Sequence, residues 1–168
     1  MVTGFVAPTM PANETRRAAA VVSSGLLSPD LDWALDQLAL WARVAIGTQL
    51  AAVTAIVGDD VHLVGASGVE HHVDRRSASF CGHTILAPAP LLCVPDARLD
   101  ARFAGNPHVV NDPWVRFYAG VALTTDDGLA LGALCVFDPR PRSGLSLRET
   151  RTLLELGEEA MRRVSGRG

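Results

Sequence analysis

The sequence predicts an α+β domain in which helices from both ends of the chain pack on one antiparallel sheet. Three observations carry this prediction. Segments with helical apolar spacing stand at the two ends, and segments with strand character fill the middle. Neighbouring strand segments are joined by short Gly/Asp turns, which suit antiparallel pairing and not parallel crossovers. Several strands are apolar on both faces, so both sides of the sheet need a cover that keeps water out.

With 168 residues, 48% hydrophobic and 20% charged, the chain has material for a single core. A net charge of −3 leaves no electrostatic footprint for nucleic acid. The three cysteines, Cys81, Cys93 and Cys135, are odd in number and lack CxxC spacing, which points to a reducing compartment and away from a disulfide framework. The N-terminal residues lack a secretory pattern, and no apolar run approaches the ~20 residues of a membrane span. A soluble cytoplasmic protein with neither nucleic acid nor membrane as partner is expected.

Residues 1–12 read as a loose tail, residues 13–164 as one domain and residues 165–168 as a second tail. Asn13 stands where it can cap a helix over ETRRAAAVVSS, which Gly25 ends. Ser28 precedes Pro29 in the first turn of a second helix. On that helix Leu31, Leu35, Leu38 and Ala42 share one side, while Trp33, Gln37, Leu40 and Val44 form a flanking stripe. A helix apolar on two sides calls for two neighbours, here its own sheet and a partner subunit. LAAVTAIV and VHLVGAS then flank Gly58-Asp59-Asp60 as strand, turn and strand. Further strands are predicted at 91–95, 115–124 and 129–137, the last two joined at Asp126-Asp127-Gly128. Ser146 and Glu149, at capping-box spacing, open the final helix. Its two apolar lines, Leu147, Leu154, Met161 and Val164 beside Leu153, Leu156 and Ala160, again suit a homodimer built on the terminal helices, or a four-helix layer within one subunit.

Residues 77–114 hold most of the candidate chemistry. Asp96 is predicted to cap a short turn that puts Leu99 and Phe103 on one face. Arg102 is either solvated or turned toward an anionic ligand. In the strand over 115–124, Val115, Phe117, Ala119, Val121 and Leu123 oppose Arg116, Tyr118, Gly120 and Ala122. In the next, Leu129, Leu131, Ala133, Cys135 and Phe137 oppose Ala130, Gly132, Leu134 and Val136. The terminal helices can cover one face, and the irregular middle must cover the other, an arrangement that leaves room for a cavity. Tyr118 suits either a cavity wall or a core site where its hydroxyl is satisfied.

SFCGHTI, residues 79–85, brings Cys81 and His83 close in sequence. Residues two apart on a helix do not face each other, so a nucleophile–base pair is not expected. His71, His72, Cys81, His83 and Cys93 match no zinc spacing. The segment reads as a short helix beside the cavity, with Cys81 as packing, Ile85 in the core, and His83 capped, solvated or in contact with ligand.

In order and spacing, SFCGHTI, LLCVPDARLDARFAGNPHV, RFYAGVAL and LGALCVFDPRPRSGLSLRE resemble a GAF domain of the bacterial sensory type, here standing alone. The resemblance covers roughly residues 13–164. It implies a central antiparallel sheet with helices on one face, a cavity covered by loops and short helices on the other, and a non-catalytic sensory or regulatory role. Cys81, His83, Asp96, Arg102, Phe103, Arg116 and Tyr118 are the candidate ligand contacts, with no catalytic or metal residue and no cofactor named. Members of the family bind cyclic nucleotides, bilins, haem or other small molecules, or serve as dimerisation modules. Because the chain ends at Gly168, its signal is expected to leave through a dimer interface or a separate signalling partner. Two alternatives stand beside this reading. One is a ligand-free dimerisation scaffold. The other is a thiol-dependent reductase, since FCG at Cys81 resembles a cysteine segment of the free methionine sulfoxide reductases; the residues after Asp96, however, lack the thiol that those proteins carry there.

Overall fold

The computed structural model describes residues 4–166; residues 1–3 and 167–168, parts of the two expected tails, lie outside the described residues. The elements are α1 (Glu14–Ser24), α2 (Asp32–Ile46), β1 (Leu50–Val57), β2 (Asp60–Ser67), β3 (Val73–Arg75), α3 (Phe80–Thr84), β4 (Leu91–Val94), α4 (Pro107–Val110), β5 (Phe117–Thr124), β6 (Ala130–Asp138) and α5 (Leu147–Ser165). The strands form one sheet in the order β3-β2-β1-β6-β5-β4, with every pairing antiparallel. The predicted α+β architecture is what the chain adopts. Three-residue β3 is an addition, too short to show any alternation. Among the described residues, no helix is long and apolar enough to cross a membrane.

The helix boundaries follow local chemistry. Gly25 and Gly47 end α1 and α2 in the left-handed conformation, at φ 84° and 79°. Asn13 occupies the N-cap position of α1, but its side chain accepts no capping hydrogen bond. Ser28 caps a 3-10 turn, Pro29–Leu31, that leads into α2. Ser146 and Glu149 complete the reciprocal capping box of α5.

Alternation along the strands divides the interior into two cores. Ala51, Val53 and Ala55 of β1, Phe117, Ala119, Val121 and Leu123 of β5, and Leu134 and Val136 of β6 meet Leu35, Leu38, Leu153 and Ala160 of the helices. Ala52, Ile56, Tyr118, Ala133 and Cys135 face the other way, toward Phe80, Cys81, Phe103 and Val109 of the irregular cover. Leu131, expected beside Cys135, instead lies in the helix-side core. The register slips where Leu123 faces Gly132 but Thr124 faces Ala130, so Leu131 is the extra residue of a bulge and changes face. Gly65 lets α2 lie against β2, since a Cβ there would come within 2.7 Å of the Leu35 backbone.

A charged triad ties α1 to the far end of the sheet. Arg17 and Arg76, only 2% and 3% exposed, both donate to the Glu14 carboxylate. Arg17 also donates to Ile56 O and Ala130 O, and Arg76 to Gly58 O. The hydrogen bond from Arg17, with the help of Arg76, outweighs burial and holds the Glu14 carboxyl at a pKa of about 2. A depressed carboxylate stabilises the fold fully above its ordinary value of 4.5 and loses that contribution as pH falls toward about 2. Glu14→Gln should lower the unfolding free energy by about 3 kcal/mol, because it strands two buried cations. Urea titrations at neutral pH and across this acid window should show the deficit of the variant shrinking as pH falls.

Candidate functional site

Between the second face of the sheet and its irregular cover lies a cavity of about 330 Å³. That volume is at the lower end of the range for ligand pockets, about 300–1,000 Å³. Its floor is Ala52 and Thr54 of β1, Tyr118 of β5, and Cys135 and Phe137 of β6. Val61 and Leu63 of β2 make one wall, and Ser79, Phe80 and Cys81 make the opposite one. Val69, His72, Asp74, His108, Asp112 and Pro113 form the rim, and buried Val115 completes the lining. The interior is largely apolar, with most of its charge-bearing groups at the mouth.

The α3 wall is fixed by its own sequence. Ser79 caps the helix by accepting from the N–H of Gly82. Phe80 stacks on Phe103 with ring centroids 4.2 Å apart and leans on Tyr118 at 5.0 Å. The Tyr118 ring lies over Gly120, where a Cβ would meet the hydroxyl oxygen at 2.2 Å, so only glycine leaves it room. Its Oη is hydrogen-bonded to Thr84 Oγ1 at 2.7 Å and to Cys81 Sγ at 3.3 Å. Tyr118 is therefore both cavity wall and satisfied core residue, and its pKa rises well above the usual phenol value through burial.

Of the seven predicted contacts, Cys81 and Tyr118 line the cavity, and the other five lie outside its lining. Phe103 is fully buried behind Phe80. His83 stands edge-on to Phe103 and bonds through Nε2 to Val6 O at 2.7 Å. Burial lowers its pKa despite that bond. Val6 in turn donates to Arg102 O, so residues 4–8, read from sequence as loose tail, run beside α3. Asp96 accepts from the N–H of Arg98 and pairs with its guanidinium, which lowers the carboxyl pKa. Arg102 is paired in the same way with Asp100. Arg116 donates to Val109 O. Leu99 and Phe103 do not share a face: the 3-10 turn after Asp96 stops at Leu99, which is 79% exposed, and the chain bends at Asp100 to send Phe103 inward.

Sequence reasoning missed the polar rim. Asp74 Oδ2 lies 2.7 Å from His108 Nε2, off the axis of the ring N–H, and this ion pair spans the mouth from β3 to α4. It raises the His108 pKa against the effect of burial, while Asp74 falls below the usual carboxylate value although burial opposes it. Nothing in the sequence links residues 34 positions apart in this way. Thr54 did leave a signal, as the one hydroxyl in LAAVTAIV. It bridges β1 to β6 by donating to Ala133 O and accepting from Ala133 N. Among the described residues no cluster of three or more histidine, cysteine or acidic side chains could hold a metal ion.

Two thiols meet where the α3 wall joins the floor. Cys81 and Cys135 have their sulfurs 3.8 Å apart. Contacts with Cys135, Thr54 and Tyr118 overcome burial and lower the Cys81 thiol below its ordinary value, whereas the same contact with Cys81, together with burial, pushes Cys135 well up. Removing a donor should reverse this. In a Cys93→Ala background, Cys135→Ala and Tyr118→Phe should each raise the Cys81 pKa, Cys135→Ala the more, as read from thiolate absorbance against pH. Tyr118→Phe should also cost about 1 kcal/mol of stability.

A sheet covered by terminal helices on one side and by a cavity-bearing irregular layer on the other defines a small sensory-type fold. The chain belongs to the GAF domain family, whose model matches residues 18–164. It is 34% identical over 157 residues to a cyclic di-GMP phosphodiesterase of Pseudomonas aeruginosa, an alignment that takes in 94% of this chain and 27% of that protein. The chain thus spans about a quarter of that relative's length. Among solved structures it is similar to the GAF domain of a phosphoenolpyruvate-protein phosphotransferase from Coxiella burnetii, with a TM-score of 0.67 at 13% identity over 92% of this chain and 94% of that one. It is also similar to a free methionine-R-sulfoxide reductase from Neisseria meningitidis in complex with its substrate, with a TM-score of 0.64 at 17% identity over 99% of both chains. At these identities the structural likenesses establish the fold alone.

Proposed function

We propose that the protein is a non-catalytic sensory module that takes a small ligand into the cavity beneath α3 and passes its state on through a homodimer. The observation that carries this reading is the hollow second layer: the sheet is buried on both faces, yet about 330 Å³ beneath its cover remains open. The sequence suggested a polar or anionic ligand on the strength of Arg102, Arg116 and His83, but all three side chains are engaged away from the cavity. The lining instead suits a compact, mainly apolar compound with one polar end at the His72, Asp74 and Asp112 rim. The likeness to a cyclic di-GMP phosphodiesterase supports a setting in cyclic di-GMP signalling, where the module would regulate a catalytic protein.

Native mass spectrometry of freshly purified protein should find one small molecule per subunit. Leu63→Trp, which fills the cavity from a half-buried position, should lose it while keeping the far-UV dichroism of the parent. A wild-type protein that carries no compound, and gains no thermal stability from any member of a fragment library, would reduce the second layer to packing and leave the scaffold reading.

Support for the dimer comes from α2. Trp33, Trp41 and Val44 are 73%, 47% and 68% exposed, in line with half-buried Gln37 and Leu40. Two exposed tryptophans on one helix stripe support an association surface there. Sedimentation should show a dimer for the parent and a monomer for Trp33→Glu/Trp41→Glu. A monomeric parent at all concentrations would remove this part of the proposal.

A further inference from the structure

Two of the three cysteines meet in the lining of the cavity. Cys81 sits on α3 and Cys135 on β6, 54 residues apart in sequence, yet their sulfurs are 3.8 Å apart. Both residues line the cavity while being only 5% and 3% exposed, so a small solute in the cavity can reach sulfurs that larger reagents cannot. The surroundings also favour the anion on one of the two. Tyr118 Oη lies within hydrogen-bonding distance of Cys81 Sγ and is itself held by Thr84, a relay that can stabilise negative charge on that sulfur. Cys93 provides the contrast. It packs against the helix-side core, and burial raises its thiol pKa.

We propose that Cys81 and Cys135 form an oxidisable dithiol on the cavity floor, which a small peroxide entering the cavity converts into an intramolecular disulfide. The electrons and atoms balance in two steps. The Cys81 thiolate attacks a peroxide oxygen; the S–O bond forms, the O–O bond breaks, and for hydrogen peroxide the leaving hydroxide takes a proton and departs as water. Cys81 is then a sulfenic acid. Cys135 sulfur attacks Cys81 sulfur; the S–S bond forms, the S–O bond breaks, and the hydroxide leaves with the Cys135 proton as a second water. Two thiols are oxidised by two electrons, and one peroxide is reduced to two waters.

The product reshapes the site. A disulfide has an S–S length of about 2.0 Å, so closing the present gap draws α3 toward β6 and takes Cys81 away from the Tyr118 hydroxyl. The cavity floor then differs between reduced and oxidised protein, which makes the module responsive to oxidant as well as to ligand.

The test uses the full chain and hydrogen peroxide at one equivalent, followed by alkylation, intact mass measurement and non-reducing peptide mapping. The expected result is a loss of two hydrogens, a crosslink between the peptides that carry Cys81 and Cys135, and Cys93 still free to be alkylated. Reduction should restore all three thiols. Cys81 should be consumed ahead of Cys93, because the cavity admits peroxide to Cys81 and its contacts favour the thiolate, whereas burial disfavours the Cys93 anion. In Cys135→Ser, dimedone should trap a sulfenic acid on Cys81 with no crosslink. Three outcomes overturn the proposal: Cys93 oxidised ahead of the pair, both cavity thiols intact under excess peroxide, or Cys81 carried on to sulfinic acid in the parent while Cys135 remains a free thiol.

Discussion

The architecture depends on strands that shun water on both sides. In β1 every residue from Ala51 to Ile56 is buried, and β5 and β6 are nearly as closed. A helical layer alone would leave Ala52, Ile56, Tyr118 and Cys135 wet, so the chain must spend its middle third on a second cover. That cover is made of short pieces: a five-residue helix, a four-residue helix, 3-10 turns and connecting loops. Short pieces cannot interdigitate with a sheet as long helices do. They close over it at the aromatic cluster of Phe80, Phe103 and Tyr118 and stand off from it beside β2, and the hollow follows from that unevenness.

Polar chemistry in this molecule is divided by position. Arginines tie elements together away from the cavity, as buried Arg17 and Arg76 do around Glu14 and as Arg142 does by reaching Ile46 O and Glu149. Hydroxyls and thiols serve beneath the irregular cover, where a neutral donor costs far less to bury than an unpaired charge. The cavity therefore has a floor of soft, polarisable groups and a charged mouth, the reverse of a site built to hold an anion deep in the fold.

Much of the frame was legible in the sequence because it rests on local rules. Strand alternation, the Ser146–Glu149 box, the Gly25 stop and the doubly apolar strands all act within a few residues of one another. The site was less legible because it is built from long-range meetings. The Asp74–His108 pair, the Cys81–Cys135 contact and the bulge that turns Leu131 have no sequence signature. One available signal went unread. Of the four Asp-x-Arg triplets, three (Asp96-Arg98, Asp100-Arg102 and Asp138-Arg140) have the carboxylate accept the backbone N–H of the arginine and pair with its side chain, while in the fourth Asp74 turns to His108 and Arg76 to Glu14. An arginine in that pattern is already occupied, which explains why Arg102 is not turned toward the cavity.

A sheet this apolar would be hazardous if its borders were long. Here the borders are β3, three residues with Asp74 and Arg75 among them, and β4, four residues bounded by Pro90 and Pro95. Brief, charged or proline-flanked margins offer a stray strand little to zip onto. The stickiest strands, β1 and β6, are locked in the middle of the sheet, so the folded chain can carry an aggregation-prone sequence without displaying it.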